Sequence, residues 1–166
     1  MTVYHSTIEV RSYLHKPMFH DVTDAAKLAV AQSGIKNGSI TVYSAHTTCS
    51  VIIQEESHDT LYDGTKHLLQ DMLDRLEILA PTCRREGQYL HPGKEHIHHA
   101  VDALGEEAVW SLNTDAHIRS AFIGRSETIP IIDGAPELGE FGQIYFVDFD
   151  GVRDRARTVH FQLVGE

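Results

Sequence analysis

The chain of 166 residues is short of cysteine and of basic charge, and each shortage excludes a class of protein. Cys49 and Cys83 are too few for a disulfide framework and form no Cys-x-x-Cys pair, so we predict two reduced thiols in a cytoplasmic protein. The formal net charge of −10 argues against nucleic acid as a partner, because phosphate backbones are bound by clustered Lys and Arg. No apolar run is long enough for a membrane span, and no signal-peptide pattern opens the chain.

Several motifs that would identify an enzyme class are also missing. The sequence contains no Gly-x-x-x-x-Gly-Lys loop, no Gly-x-Gly-x-x-Gly after a strand and no defensible Ser-His-Asp order. These absences weigh against a P-loop enzyme and against a dinucleotide-dependent oxidoreductase.

The patterns that are present predict one domain over residues 1–166, without internal repeats. Helical spacing of apolar residues predicts helices over residues 21–32, 59–76, 96–104 and 115–123, the first capped by Asp21 and closed by Gly34. Alternation and β-branched residues predict strands over residues 3–10, 40–43, 50–54, 127–132, 143–149 and 158–164. Because the strands bracket the helices without a regular βαβ rhythm, we expect an α+β fold with a largely antiparallel sheet.

Histidine is abundant, with 12 residues, so only its context can indicate a site. His46 and His117 lie within Ser44-Ala-His46-Thr47-Thr48 and Asn113-Thr-Asp115-Ala-His117, and His91 precedes Pro92-Gly93. A histidine in the first turn of a helix is biased towards the neutral form, because the helix dipole favours anions there. Neutral imidazole is what a metal ion or a general base requires, so we predict one polar site that gathers these histidines.

Each of these features has a plainer structural interpretation. Thr47 and Thr48 could satisfy cross-strand hydrogen bonds, and Asn113 or Asp115 could simply cap a helix. Glu55, at a strand end, could be a catalytic carboxylate or part of a surface charge pair. The run over residues 95–99 and the arginines 153, 155 and 157 are most simply solvated surface, with a local anion site as the alternative for the arginines. Which of His91, His96, His98 and His99 joins the site stays open.

The order of several blocks from about residue 40 onward resembles the YjbQ-type family, often labelled secondary thiamine-phosphate synthase. The blocks are His46-Thr47-Thr48 with the apolar run to Glu55, the helix with Asp71 and Leu73, Asn113-x-Asp115-Ala-His117 with Arg119, Ile123-Gly124-x-Ser126, Thr128-Ile-Pro130, Gly134, Leu138-Gly139, and Phe149-Asp150-Gly151-x-Arg153-x-Arg155. Two features depart from that family. Glu140-Phe141-Gly142-Gln143 replaces the usual Gly-Thr-Trp-Gln, and the connection containing residues 95–99 and Trp110 is longer than usual.

The resemblance implies a compact α+β sandwich that assembles as a homotrimer. It also implies an enzyme that joins a pyrimidine pyrophosphate to a thiazole phosphate in a polar pocket. From this resemblance we expect an enzyme that acts on a small phosphorylated metabolite and uses a divalent ion, Zn²⁺ or Mg²⁺. The alternatives are a metal-dependent hydrolase or lyase and a non-catalytic, ligand-binding trimer. The predicted residues are His46, His117, Asp115 and Glu55 for catalysis, Thr47, Thr48, Asn113, Arg119 and Gln143 for substrate, and His46, His91 and His117 for metal.

Overall fold

The strands form two antiparallel sheets in the computed structural model, which describes residues 1–13 and 16–166. The strand bounds are β1 Thr2–Ser12, β2 Met18–Asp21, β3 Gly38–Tyr43, β4 Cys49–Glu55, β5 Ser126–Ile132, β6 Ala135–Pro136, β7 Gly142–Asp148 and β8 Arg155–Gly165. Sheet A has the order β1-β8-β3-β5-β6, and sheet B has the order β2-β7-β4. All neighbouring strands run antiparallel.

The helices follow the predicted order along the chain, with different boundaries. They are α1 Thr23–Ser33, α2 His67–Leu79, α3 Lys94–His98 and α4 Thr114–Ile123, and α3 continues as a π-helical turn over His99–Ala103. A 3₁₀ turn over Ala108–Ser111 precedes α4. Helix α2 begins eight residues later than the prediction from residue 59, because Thr60 pairs with Lys66 across a turn in which Gly64 has a φ of 85°. A left-handed backbone of this kind cannot continue a helix.

Two hydrophobic cores lie on the two faces of sheet B. Alternate residues of β7 divide between them: Ile144 and Phe146 pack with α1 against the inner face of sheet A, whereas Tyr145 and Val147 pack under α2 and α4. A strand buried on both faces is apolar at every position, which explains the unbroken run from Ile144 to Val147. The α+β prediction is confirmed, as two sheets with helices packed against them.

Gly34 ends α1 as predicted, in the left-handed conformation with a φ of 71°. The N-cap is Val22 and not Asp21 as predicted, although Asp21 Oδ1 accepts the Thr23 backbone N–H at 2.9 Å just before the helix. The short strands β2 and β6 were not predicted, because four and two residues are too few to show alternation. Both cysteines are buried and free. Within the described ranges, no helix combines the length and the apolar character needed to cross a lipid bilayer.

Candidate functional site

His117 lies in an open groove of about 330 Å³ between α4 and the loop that joins β3 to β4. Thr47 forms the loop side of the groove, and Ser120, Ala121 and Gly124 continue the helix side. Positions 117, 121 and 124 recur at helical spacing, so one face of α4 is directed at this loop. The groove thus brings together Thr47 and His117 from the two segments that the sequence singled out.

The environment of His117 favours its neutral form. Burial lowers the pKa of this imidazole, and a hydrogen bond with the Thr47 backbone and the nearby Asp150 carboxylate offset part of that effect. The charge of Arg155 lowers the pKa further. A half-buried histidine that is neutral near pH 7 can accept a proton from a bound molecule.

His91 and His96 lie beside His117 and form with it what we call the imidazole cluster. The ring centroid of His91 is 5.8 Å from that of His117, in an edge-on arrangement, and 4.5 Å from that of His96. Burial lowers the pKa of His91, and the charges of His96 and His117 add to the effect. His96 is exposed, so the cluster opens to solvent on that side. His96 is therefore the member of the run over residues 95–99 that joins the cluster.

Thr114, a residue that we did not include in the predicted site, fixes the position of His91. Its hydroxyl lies 2.9 Å from His91 Nδ1 and also donates to the His91 backbone carbonyl. Because Thr114 is the first residue of α4, this contact ties the loop of His91 to the helix that carries His117. The signal was present in the sequence as the residue after Asn113, where a helix-terminal hydroxyl could be expected to bond locally.

His46 was predicted to join His91 and His117, but its side chain makes a hydrogen bond with β8 instead. Its Nε2 accepts a hydrogen bond from the Thr158 backbone N–H at 3.1 Å. Burial lowers its pKa, with further lowering by Arg157 and His160 and an opposing effect of Asp148. One ring nitrogen of His46 is thus committed to β8, which leaves only Nδ1 for any ligand.

The predicted metal set of His46, His91 and His117 is not assembled as a ligand cage. Over residues 1–13 and 16–166, no group of three or more His, Cys, Asp or Glu side chains is arranged to hold a metal ion. The physical reason lies in the hydrogen bonds: Thr158 takes Nε2 of His46, and Thr114 takes Nδ1 of His91. Among the described residues, His46, His91 and His117 therefore do not form a ligand set for a resident zinc or magnesium ion.

The arginines 155 and 157 form a buried lattice with Asp148 and Asp150, and are not the solvated surface that we expected. Arg157 pairs with both Asp148 oxygens at 2.7 and 3.0 Å, and Asp148 is fully buried. Arg155 pairs with Asp150 at 3.0 Å. We call these four residues the acid–arginine lattice. The charge of Arg155 lowers the pKa of both His46 and His117, so the lattice influences both imidazoles.

Arg155 is the one member of the lattice that also reaches solvent. Its side chain is 18% exposed, compared with 5% for Arg157. Its Nε has no protein hydrogen-bond partner among the described residues although it is buried. Arg153 lies beside it, held by Glu106 at 2.7 Å and stacked over the Trp110 ring at 4.3 Å. These two arginines line a second open groove with Trp110 and Val152.

Two predicted substrate-binding residues form hydrogen bonds with this lattice, and one of them, Asn113, also lines a pocket of about 340 Å³. Thr48 is buried, and its hydroxyl accepts a hydrogen bond from Arg157 at 3.1 Å. Asn113 donates from its side-chain amide to Asp150 at 3.0 Å and makes no side-chain cap on α4. The prediction that Thr48 contacts a phosphate is therefore revised: Thr47, which is exposed and lines the groove, is the threonine in position to do so.

Arg119 and Asp115 hold the end of α2 and the following loop to α4. Arg119 is 2% exposed and donates to the Ala80 carbonyl and to Glu77 at 2.7 Å. Asp115 accepts the Cys83 backbone N–H at 3.0 Å, and burial raises its pKa. Neither the phosphate-binding role of Arg119 nor the catalytic role of Asp115 fits these contacts, because their charged groups are already paired inside the fold.

Glu55 and Gln143 lie at the wrong end of sheet B for the predicted site. Glu55 pairs with Gly142 at one end of the β4–β7 ladder, and Cys49 pairs with Asp148 at the other. Six residues of strand separate the two ends by about 20 Å. Within one chain, Glu55 and Gln143 are therefore remote from the acid–arginine lattice and from His46.

The arrangement combines neutral imidazoles, a hydroxyl and partly exposed guanidinium groups along one side of the molecule. Such a set can bind an anion and accept a proton beside it. The network rests on α4, β7 and β8, so it is held by the two sheets and not by loops alone.

The chain matches known proteins along nearly its whole length. The family model described as UPF0047 protein YjbQ-like matches residues 6–166. A UPF0047 protein of Methanothermobacter thermautotrophicus is 29% identical over 93% of this chain and 89% of the relative, and one of Archaeoglobus fulgidus is 30% identical over 81% and 83%. A YbjQ-like protein of unknown function from Sulfolobus solfataricus P2 has a similar structure, with a TM-score of 0.73, 25% identity and coverage of 99% and 98%. A hypothetical protein from Aeropyrum pernix K1 superposes with a TM-score of 0.71, 27% identity and coverage of 98% and 99%.

Proposed function

This chain belongs to the UPF0047 YjbQ-like family, and from that premise we propose that it is an enzyme acting on a small phosphorylated metabolite. The reaction we propose is thiamine-phosphate-synthase-like: a thiazole nitrogen attacks the methylene carbon of a pyrimidine pyrophosphate. The new C–N bond takes the nitrogen lone pair, and the electron pair of the broken C–O bond leaves with pyrophosphate. The enzyme must then stabilise the departing negative charge.

The observation that carries the proposal is that Arg155 is partly exposed, is anchored to Asp150, and is close enough to His117 for its charge to lower the pKa of that imidazole. Arg155 is anchored to Asp150 at 3.0 Å, and its side chain is partly exposed on the groove that it lines with Arg153, where its guanidinium could meet an anion. Arg153, fixed by Glu106 and Trp110, adds a second positive charge. Guanidinium groups that are held in place before the substrate arrives stabilise phosphate oxygens without reorganisation cost.

Thr47 and the imidazole cluster would complete the site. The exposed Thr47 hydroxyl can donate to a phosphate oxygen at the groove that His117 lines. The attacking thiazole nitrogen carries no proton, so in this reaction the neutral His117 and His91 would donate an N–H hydrogen bond to a phosphate oxygen, whereas in hydrolysis they can accept a proton from water. His46 would act as a positioning residue, since its bond to Thr158 ties the loop of Thr47 to β8.

A second candidate is hydrolysis of the same class of ester by water that His117 deprotonates. The lowered pKa values of His91 and His117 favour it, because a base is most effective when it is neutral at the working pH. The two candidates differ in their need for a second substrate. Release of pyrophosphate from the pyrimidine compound only when thiazole phosphate is added supports the first, and release without it supports the second.

A divalent ion remains part of the proposal only as a companion of the substrate. The described residues offer no ready ligand set, so no step above depends on a resident metal. Mg²⁺ bound to pyrophosphate would enter with it and keep most of its water ligands. Metal analysis of the purified chain, with activity measured before and after chelation, tests this: a tightly held transition ion in each chain favours a metal-dependent hydrolase or lyase instead.

Self-association as a homotrimer is also proposed. The single chain leaves large apolar side chains exposed, among them Phe122 at 64% and Phe141 at 54%. Glu55 and Gln143, about 20 Å from the lattice within one chain, could reach a site only on a neighbouring subunit. Sedimentation equilibrium at several concentrations measures the assembly directly, and a monomer at all of them contradicts it.

Replacing Arg155 with glutamine tests the anion-binding role. We expect KM for the phosphorylated substrate to rise roughly ten- to a hundredfold, since a hydrogen bond to a charged group contributes about 1.5–3 kcal/mol. The control is Arg75→Gln, on the exposed face of α2, which should leave KM unchanged. An Arg155→Gln variant that folds normally and keeps its KM removes Arg155 from the proposal.

The lowered histidine pKa values predict a loss of both activity and stability in acid. His20, His46, His91 and His117 are all shifted below the ordinary value, first of all by burial. The unfolded chain therefore binds protons more readily, so this share of stability is present above a pH of about 6.5 and is lost as the pH falls through the folded pKa values. Hydrolytic activity should follow the neutral fraction of His117 and reach a plateau towards pH 7. Unfolding and rate profiles measured in the same buffers check both, and a rate that rises on acidification contradicts the role of a base.

A further inference from the structure

A second pair of imidazoles lies outside the imidazole cluster, on the outer face of sheet A. His5 is on β1 and His160 is on β8, and the ladder pairs Thr7 with His160 and His5 with Gln162. Because side chains alternate along a strand, His5 and Thr7 share a face, which places the two histidines diagonally across the pair of strands. His5 is exposed and His160 is half-buried.

The two ring nitrogens are separated by the distance that a chelated metal ion requires. His5 Nε2 lies 3.4 Å from His160 Nδ1, with the ring centroids 5.6 Å apart and the ring planes 28° from parallel. For a direct hydrogen bond this separation is long. Two imidazole nitrogens that bind one tetrahedral ion, each at 2.0–2.1 Å, are about 3.3–3.4 Å apart. Small rotations of the rings would direct both lone pairs at one point in solvent.

From this geometry we infer that His5 and His160 form a chelating site for a late first-row divalent cation such as Zn²⁺ or Cu²⁺, with water as the remaining ligands. Imidazole is a preferred ligand of these ions. The site is independent of the proposed function. No carboxylate or thiolate is needed, and the net charge of −10 attracts cations to the whole molecule.

The backbone holds the two histidines in place before any ion arrives. β1 and β8 stay in register from Thr2 opposite Gly165 to Ser12 opposite Arg155. Tyr43 on β3 lies on the other side of His160, with ring centroids 6.0 Å apart, and limits the motion of that imidazole. Since β1 is an edge strand of sheet A, an ion bound by both histidines would stabilise the pairing of β1 with β8.

The test is a calorimetric titration of the metal-free full chain with Zn²⁺. His5→Ala and His160→Ala should each weaken the binding of one equivalent at least tenfold, and the double variant should be no weaker than either single variant. Two side chains that bind the same ion give such non-additive losses, because either substitution alone destroys the chelate. The matched control is His58→Ala, an exposed histidine in a loop, which should bind as the parent does.

A second set of measurements separates this site from the imidazole cluster. His96→Ala should leave the equivalent intact, and Cu²⁺ bound to the parent should show paramagnetic coupling to two nitrogens that falls to one in His5→Gln or His160→Gln. Those glutamine variants keep a polar side chain of similar reach and guard against a folding defect in the alanine forms. Unchanged Zn²⁺ affinity in both single variants, or loss of the equivalent in His96→Ala alone, would overturn the assignment.

Discussion

Replacing Asp148 with alanine is expected to lower the free energy of unfolding by about 3–5 kcal/mol, the range for removing one partner of a buried ion pair. Asp148 is fully buried and accepts two hydrogen bonds from Arg157, at 2.7 and 3.0 Å. It also accepts the Asp150 backbone N–H at 3.1 Å. The substitution leaves the Arg157 guanidinium, itself only 5% exposed, without its main partner. Denaturant unfolding followed by far-ultraviolet circular dichroism measures the change.

A matched exposed pair provides the control for this prediction. Asp24 and Lys27 on α1 lie 3.7 Å apart, with the Asp24 side chain completely exposed, so Asp24→Ala should change stability little. Replacing Asp148 and Arg157 together by leucine and methionine should restore part of the loss, since no charge is then left unpaired. An Asp148→Ala chain as stable as Asp24→Ala would show that the acid–arginine lattice contributes nothing to the fold.

Replacing His117 with alanine is expected to reduce kcat/KM for pyrophosphate release by water, the second candidate reaction, by about 10²–10⁴-fold, the range for a positioned general base. The reason is its place in the groove, where burial keeps the imidazole neutral beside Thr47 and Asp150. The same substitution should also remove the acid-side fall in the rate profile, because the titrating group is gone. A merely structural role would lower the rate at all pH values and leave the profile unchanged in shape.

The control for His117 is His98→Ala, which removes an exposed histidine of α3 outside the imidazole cluster. It should turn over substrate at the parental rate. His91→Ala should fall between the two, since its ring packs edge-on against His117 at 5.8 Å without lining the Thr47 groove. Full activity in a folded His117→Ala chain would contradict the proposed role and leave Arg155 as the main feature of the site.

The fold was largely predictable because its strongest signals are local and periodic. The strand at residues 3–10 was predicted from side-chain alternation and the strand at 158–164 from its β-branched and aromatic residues, and together they form the longest ladder, β1 with β8. Helix α2 was placed too early, since its apolar spacing continues into a turn that Thr60 and Lys66 close. Short elements such as β6 depend on their neighbours and carry no pattern of their own.

The sequence identified the segments that form the candidate site, but it did not show which residues within those segments face a ligand. His117, His91 and Thr47 came from patterns that the structure places around one groove and its edge. Arg119 and Thr48 had the residue types that bind phosphate, yet their donors are taken by Ala80, Glu77 and Arg157. Arg155 was read as surface, because a run of alternating arginines looks the same whether its partners are water or buried carboxylates.

The sequence by itself determined the α+β class, the order of the main elements and the family, because periodicity and ordered motifs are properties of the chain alone. Only the tertiary structure decided which polar side chains stay available for a ligand. The Thr158 backbone N–H donates to one ring nitrogen of His46, and Arg157 is paired with Asp148, whereas His117 lines the groove. Those pairings join residues up to 112 positions apart, and such contacts are set by how two sheets pack and not by any local pattern.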